Sequence, residues 1–176
     1  MRWFYLAPID FLVGLLAFPL APLIVLITSP AGISPHWCWP WLTHDNPIDG
    51  DAGHWARWPD NGMRWRRYCR RVAWLWRNRG YGFSYCVCGL DAVGPVRWRG
   101  NPAVSDTPLS AGWCWATCNG GWMFYAMWPW WRSRQRGTRV YLGWKLKQKI
   151  EQPNTAPRAM LVTHINPFKG YTGGRA

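Results

Sequence analysis

The chain has 176 residues, room for one domain of ordinary size with an appended segment. Six cysteines are too few for a disulfide-built scaffold, so reduced thiols are the expected state. Seventeen tryptophans and a net charge of +13 point to anionic partners. Trp suits both a membrane–water interface and stacking on unpaired bases, so composition alone leaves phospholipid and nucleic acid open.

Residues 3 to 28 carry one charge, Asp10. From Phe11 to Thr28 run 18 uncharged residues, roughly 27 Å as a helix against a hydrocarbon core of about 30 Å. This predicts a membrane segment over 1–28, with Asp10 at the headgroup boundary and Trp3, Phe4 and Tyr5 as an aromatic belt. Pro19 and Pro22 each remove a helical N–H. A kinked transmembrane helix is therefore the first expectation, a re-entrant or in-plane hairpin the second, and a buried core helix the third. A cleavable signal peptide fits poorly, with Arg2 alone as its basic region and no A-x-A-like site. The basic remainder favours a cytoplasmic C-terminal side, against the weaker pull of Arg2 and of residues 29–56, which carry no Lys or Arg.

Residues 29–62 read as a Trp/Pro-rich loop, with 36–41 lying along the interface. Within it, "THDNPIDGDAGH" (43–54) holds three aspartates and two histidines. A calcium loop fails here: with Asp45 first, Pro47 falls at the third ligand position and Ala56 at the twelfth. The expected role is a structured acidic turn built on His44, Asp45, Asp49 and Asp51. Asp45 and Asp49 would accept backbone N–H bonds, and the carboxylates would dock the arginines that follow. A looser divalent-metal site on these residues, supporting hydrolysis, is the alternative. No catalytic signature is present, so an enzyme is the weaker expectation and no cofactor is implied.

Residues 63–80 form the clearest helix. Trp65, Tyr68, Cys69, Val72, Leu75 and Trp76 recur at three- and four-residue spacing. Arg64, Arg67, Arg70 and Arg71 are the predicted contacts to anionic lipid, on a basic amphipathic helix suited to a membrane surface. The competing reading is a helix packed on a core with a solvated Arg face.

From 81 to 168 the pattern is strand-like. Predicted strands are 81–90, 112–117, 122–128, 138–147 and 159–165, with "CNGG" (118–121) and "SRQRG" (133–137) as hairpin connections. Cys86 and Cys88 with Cys114 and Cys118 raise a zinc site, but C-x-C is off the usual spacing. Residues 169–176 read as a mobile tail. The predicted class is α+β: an N-terminal transmembrane or re-entrant helix, one basic amphipathic helix, and a C-terminal antiparallel meander.

"DNPIDGD" (45–51), "VAWLWRNRGYGF" (72–83) and "GWKL" (143–146) together resemble a family of small uncharacterised proteins of tailed bacteriophages and prophages. Its pattern joins an apolar N-terminal segment, a D-N-x-L-D-G-D-x-G-W loop, a W-L-W-R-N-P-x-Y-G-F segment and a strand-rich end. This chain departs from it at His54, where Trp is expected, and at Arg79, where Pro is expected. The resemblance implies a phage source and a membrane location, and brings no activity. The functional expectation is an accessory protein at the host inner membrane, binding anionic phospholipid and a host or phage protein. A virion component acting at genome entry, a single-stranded nucleic-acid module and a metal-dependent hydrolase stand behind it.

Overall fold

In the computed structural model, residues 2–92, 94–107, 110–130, 133–147 and 158–170 are described. They divide into two compact units, Met1–Cys88 and Gly89–Ala176.

The first unit is built on α1, Arg2–Ile27, which contains Pro8, Pro19 and Pro22. Its buried positions Ala7, Asp10, Ala17, Ala21 and Ile24 recur at steps of three, seven, four and three residues and define one seam. Small residues there let neighbouring elements approach closely. A 3₁₀ turn, His36–Trp41, two six-residue helices, α2 (Ala52–Arg57) and α4 (Tyr81–Cys86), and α3 (Arg64–Arg77) complete the unit. Ala21, Ile24, Val25, Cys38, Ile48, Val72, Trp74 and Leu75 form its apolar core.

α3 and α4 run antiparallel along α1. The Tyr68 hydroxyl donates to the Pro22 carbonyl at 3.4 Å, and Trp76 Nε1 donates to the Phe18 carbonyl at 3.2 Å. Further on, Ser84 Oγ donates to Asp10 Oδ1. The Phe18 contact has a covalent cause. Pro22 has no N–H to offer the carbonyl four residues earlier, so Phe18 O is left without its helical partner and the indole of Trp76 supplies one.

Residues 81–86 are helical, not the first strand of the meander. The spacing of Tyr81, Phe83 and Tyr85 fits alternation, but Tyr81 and Tyr85 are also one helical turn apart. Their rings stack on one another and on His44, with centroids 6.3 Å apart for the tyrosine pair and 4.0 Å for His44–Tyr85. Gly80 begins α4 at φ 66°, a left-handed position that ends the chain's run from α3.

The second unit is a five-stranded antiparallel sheet in the order β2-β3-β4-β5-β7, with a separate ladder of β1 (Leu90–Asp91) and β6 (Arg158–Ala159). Its strands are β2 (Arg97–Gly100), β3 (Gly112–Cys118), β4 (Gly121–Trp130), β5 (Ser133–Trp144) and β7 (Leu161–Gly170). Asn119-Gly120 makes the expected tight turn, because Cys118 pairs with Gly121 and Gly120 takes φ 79°. "SRQRG" lies inside β5 rather than in a connection. β2 was not expected; four residues with two arginines carry little strand signal. Lys169 and Gly170 end β7, and the rest of the expected tail lies outside the described residues.

One sheet face is the core: Cys114, Ala116, Met123, Tyr125 and Met127 are buried. Register puts Arg97, Arg99, Trp113, Trp115, Phe124 and Trp128 on the other.

Candidate functional site

The acidic turn and α3 form one electrostatic hub. Asp49 Oδ1 accepts from Arg70 Nη2 at 2.8 Å and from Arg71 Nε at 2.9 Å, and its Oδ2 accepts from Arg71 Nη2 at 2.8 Å. Arg71 also donates to the carbonyls of Ser29 and Pro30, both at 3.0 Å, stitching α3 to the end of α1. Arg70 has no exposed side-chain surface, and a second ion pair joins its Nη1 to Asp60 at 3.0 Å. Its Cζ lies 3.6 Å from the centroid of the Trp55 ring. Burial works against an ionised Asp49, but the Arg71 and Arg70 hydrogen bonds outweigh it and hold the carboxyl below its ordinary range. Asp60 is held low first by the Gly62 backbone N–H, then by Arg67 and Arg70.

The other turn residues divide the work differently from expectation. Asp51, not Asp45 or Asp49, takes the backbone bond: it caps α2 by accepting from His54 N–H at 2.7 Å. Its other oxygen faces Arg77 at 3.9 Å. Asp45 accepts from the Tyr81 hydroxyl at 3.1 Å; burial, and then the Asp45 charge, push that phenol well above its usual range, so it stays a donor. His44 stacks on Tyr85, and His54 is buried with Nε2 2.9 Å from the Arg70 carbonyl. Two of the three stretches that carried the family resemblance therefore pack on each other. Trp74 Nε1 donates to Thr43 Oγ1 at 3.2 Å, and a Cβ on Gly50 would come within 2.8 Å of the Trp74 ring.

The docking of turn to helix agrees with the sequence reading, but two of the four arginines expected to face lipid lie inside. Arg70 and Arg71 are buried and committed to Asp49, so of the four only Arg64 and Arg67 reach solvent. The helix has turned from the expected orientation: Trp65 is 62% exposed while Arg70 faces inward. Apolar spacing alone could not show this, because Asp49 and Asp60 make an arginine face buriable. Trp55 and Asp60 were not singled out in the sequence. An Asp four residues before the helix, with Gly two after it, was the available signal for an acidic turn.

Among the described residues, no three His, Cys, Asp or Glu side chains converge as a metal ion requires. Both oxygens of Asp49 already face guanidinium nitrogens.

A second feature is the uncovered side of α1. Phe4, Tyr5, Phe11, Leu12, Leu16 and Leu26 are each at least half exposed, at 50–71%. Among the described residues α1 alone is long and apolar enough to cross a membrane by length and composition. The 3₁₀ turn adds Trp37, 56% exposed, while Trp41 turns inward and donates Nε1 to the Val13 carbonyl at 3.0 Å.

The third is the open sheet face. Trp113, Trp115 and Trp128 are 48%, 36% and 45% exposed. Trp115 stacks on Trp122 with centroids 5.0 Å apart and planes 5° from parallel.

A family model matches residues 1–173, and its description is a family of unknown function, DUF7338. The chain belongs to that family. No curated protein and no solved structure matches it. This DUF7338 member thus combines a salt-bridged hub that fixes α3 on α1, an apolar helix face that no described residue covers, and an aromatic sheet face rimmed by arginine.

Proposed function

We propose that the chain is a membrane-attached accessory protein of phage or prophage origin, held by α1 on the anionic cytoplasmic leaflet of a bacterial inner membrane. The observation that supports this reading is the continuous apolar side of α1, from Phe4 to Leu26, that no described residue covers. Left in water, such a surface far exceeds the scattered apolar residues of a soluble protein. Covered by acyl chains, it becomes the principal attachment.

The packing on the buried side favours a re-entrant or in-plane seat over an upright span. Arg79 Cζ lies 5.1 Å from the Phe18 ring, beyond the middle of α1, and Arg77 is beside it in sequence. An upright helix would carry both towards the bilayer interior, at about 2.5–3.5 kcal/mol for each arginine at the centre. With α1 lying at the acyl boundary, the same arginines stay at headgroup depth. Arg64 and Arg67 then supply contacts to anionic lipid, each worth about 1 kcal/mol near the surface. The net charge of +13 favours the anionic leaflet in the same direction.

The test is flotation of the full chain with vesicles of phosphatidylcholine alone or mixed with phosphatidylglycerol. The expected result is flotation with both and tighter binding to the anionic mixture. Leu12→Glu with Leu16→Glu should abolish it, and Arg64→Gln with Arg67→Gln should weaken the anionic preference. A chain that stays at the bottom of the gradient with either vesicle contradicts the reading.

A further inference from the structure

From the open face of the sheet we infer a second binding function, independent of the membrane seat: a platform for single-stranded nucleic acid. Residues 89–176 hold 12 Lys and Arg against 3 Asp and Glu, so +9 of the chain's +13 belongs to this unit. Its described carboxylates are committed elsewhere. Asp91 pairs with Arg158 at 3.0 Å in the separate ladder. Asp106 is bound by Arg139 at 2.9 Å and Lys169 at 3.1 Å, with the Tyr125 hydroxyl donating to it. Tyr125 and Arg139 share the core side of the sheet with buried Met127, opposite the tryptophans.

On the first three strands of the sheet the outward face is mainly aromatic and basic. Trp113 and Trp115 on β3 and Phe124 and Trp128 on β4 lie side by side across two central strands. Arg97 and Arg99 stand two residues apart on the edge strand, so both project to this same face, with Arg99 opposite Trp115. Aromatic rings on adjacent strands offer π-faces to successive unpaired bases, and a pair of arginines along one rim tracks the phosphates. A duplex hides its base faces and can use only the arginines. A lipid surface would use the charge, but it has no need of stacked rings such as Trp115 and Trp122, whose planes are 5° apart.

The experiment is fluorescence polarisation of the full chain in non-ionic detergent with a labelled 20-nucleotide oligo(dT) and with a labelled 20-base-pair duplex, over a salt series. The expected result is tighter binding of the single strand at every salt concentration. Trp115→Ala and Trp113→Ala should each weaken it about fivefold or more. Arg97→Gln with Arg99→Gln should lower the slope of log K against log salt by about 1.4. Near-ultraviolet circular dichroism establishes that each variant is folded, and Leu12→Glu with Leu16→Glu should leave the oligonucleotide affinity unchanged, separating this function from the membrane seat. Equal binding of duplex and single strand, with the Trp variants neutral, would overturn the inference. So would Trp115→Ala weakening binding to phosphatidylglycerol vesicles while leaving the oligonucleotide untouched, which would make the face a lipid contact.

Discussion

A guanidinium without solvent needs its charge answered on the spot, and Arg70 has Asp49 at 2.8 Å, Asp60 at 3.0 Å and the Trp55 ring beneath it. Removing Asp49 leaves Arg70 with Asp60 alone and leaves buried Arg71 with the Ser29 and Pro30 carbonyls in place of a counter-charge. Asp49→Asn should therefore cost about 3 kcal/mol in a denaturant titration in detergent. It should also change the acid limb. Asp49 has its folded pKa below the ordinary carboxyl value of 3.8, so its contribution is complete above that value and is lost as pH falls through the lower folded pKa. Stability of the wild-type chain should drop below about pH 4, and the Asn variant should show a shallower drop over the same range. An identical acid limb in both would remove Asp49 from the centre of the hub. Gly82 is the second residue on which packing turns. A Cβ there would run into the Trp39 carbonyl, so Gly82→Ala should detach α4 from the 3₁₀ turn and lower the melting temperature. Unchanged melting would show that the approach is slack.

One of the bonds that hold α3 on α1 uses a backbone group that proline leaves unpaired. Trp76 donates to Phe18 O because Pro22 cannot. This makes a double-mutant cycle informative. Trp76→Phe should cost about 1 kcal/mol in the native chain. In a Pro22→Ala background, where residue 22 regains its N–H, the same change should cost much less. Equal costs in both backgrounds would mean that the indole contributes by packing alone. The element scale is also where sequence reading succeeded and failed for definable reasons. β3, β4 and the Asn119-Gly120 turn were legible because alternation and turn chemistry are local. α3 was legible as a helix, but its rotation was not, because the carboxylates that bury Arg70 come from 10 and 21 residues away. α4 was misread as strand because Tyr81 and Tyr85 satisfy both periods, and the stacking partner that decides, His44, is distant in sequence. α2 was hidden in a stretch read as loop, although Asp51 is a good cap.

At the scale of the whole molecule, charge and apolar surface are divided between the two units. The first pairs four of its nine arginines with Asp49, Asp51 and Asp60, Arg70 and Arg71 of them buried, and leaves an apolar side of α1 that no described residue covers. The second concentrates the net positive charge and displays aromatic rings. Composition alone pointed to lipid and nucleic acid without choosing, and the fold supports a separate surface suited to each. Membrane attachment through α1 is the central claim. The measurement that tests it most directly is alkaline carbonate extraction of membranes from bacteria making the full-length chain. Retention in the pellet is expected, with Leu12→Glu plus Leu16→Glu released into the supernatant as a folded protein. Release of the unaltered chain would contradict it.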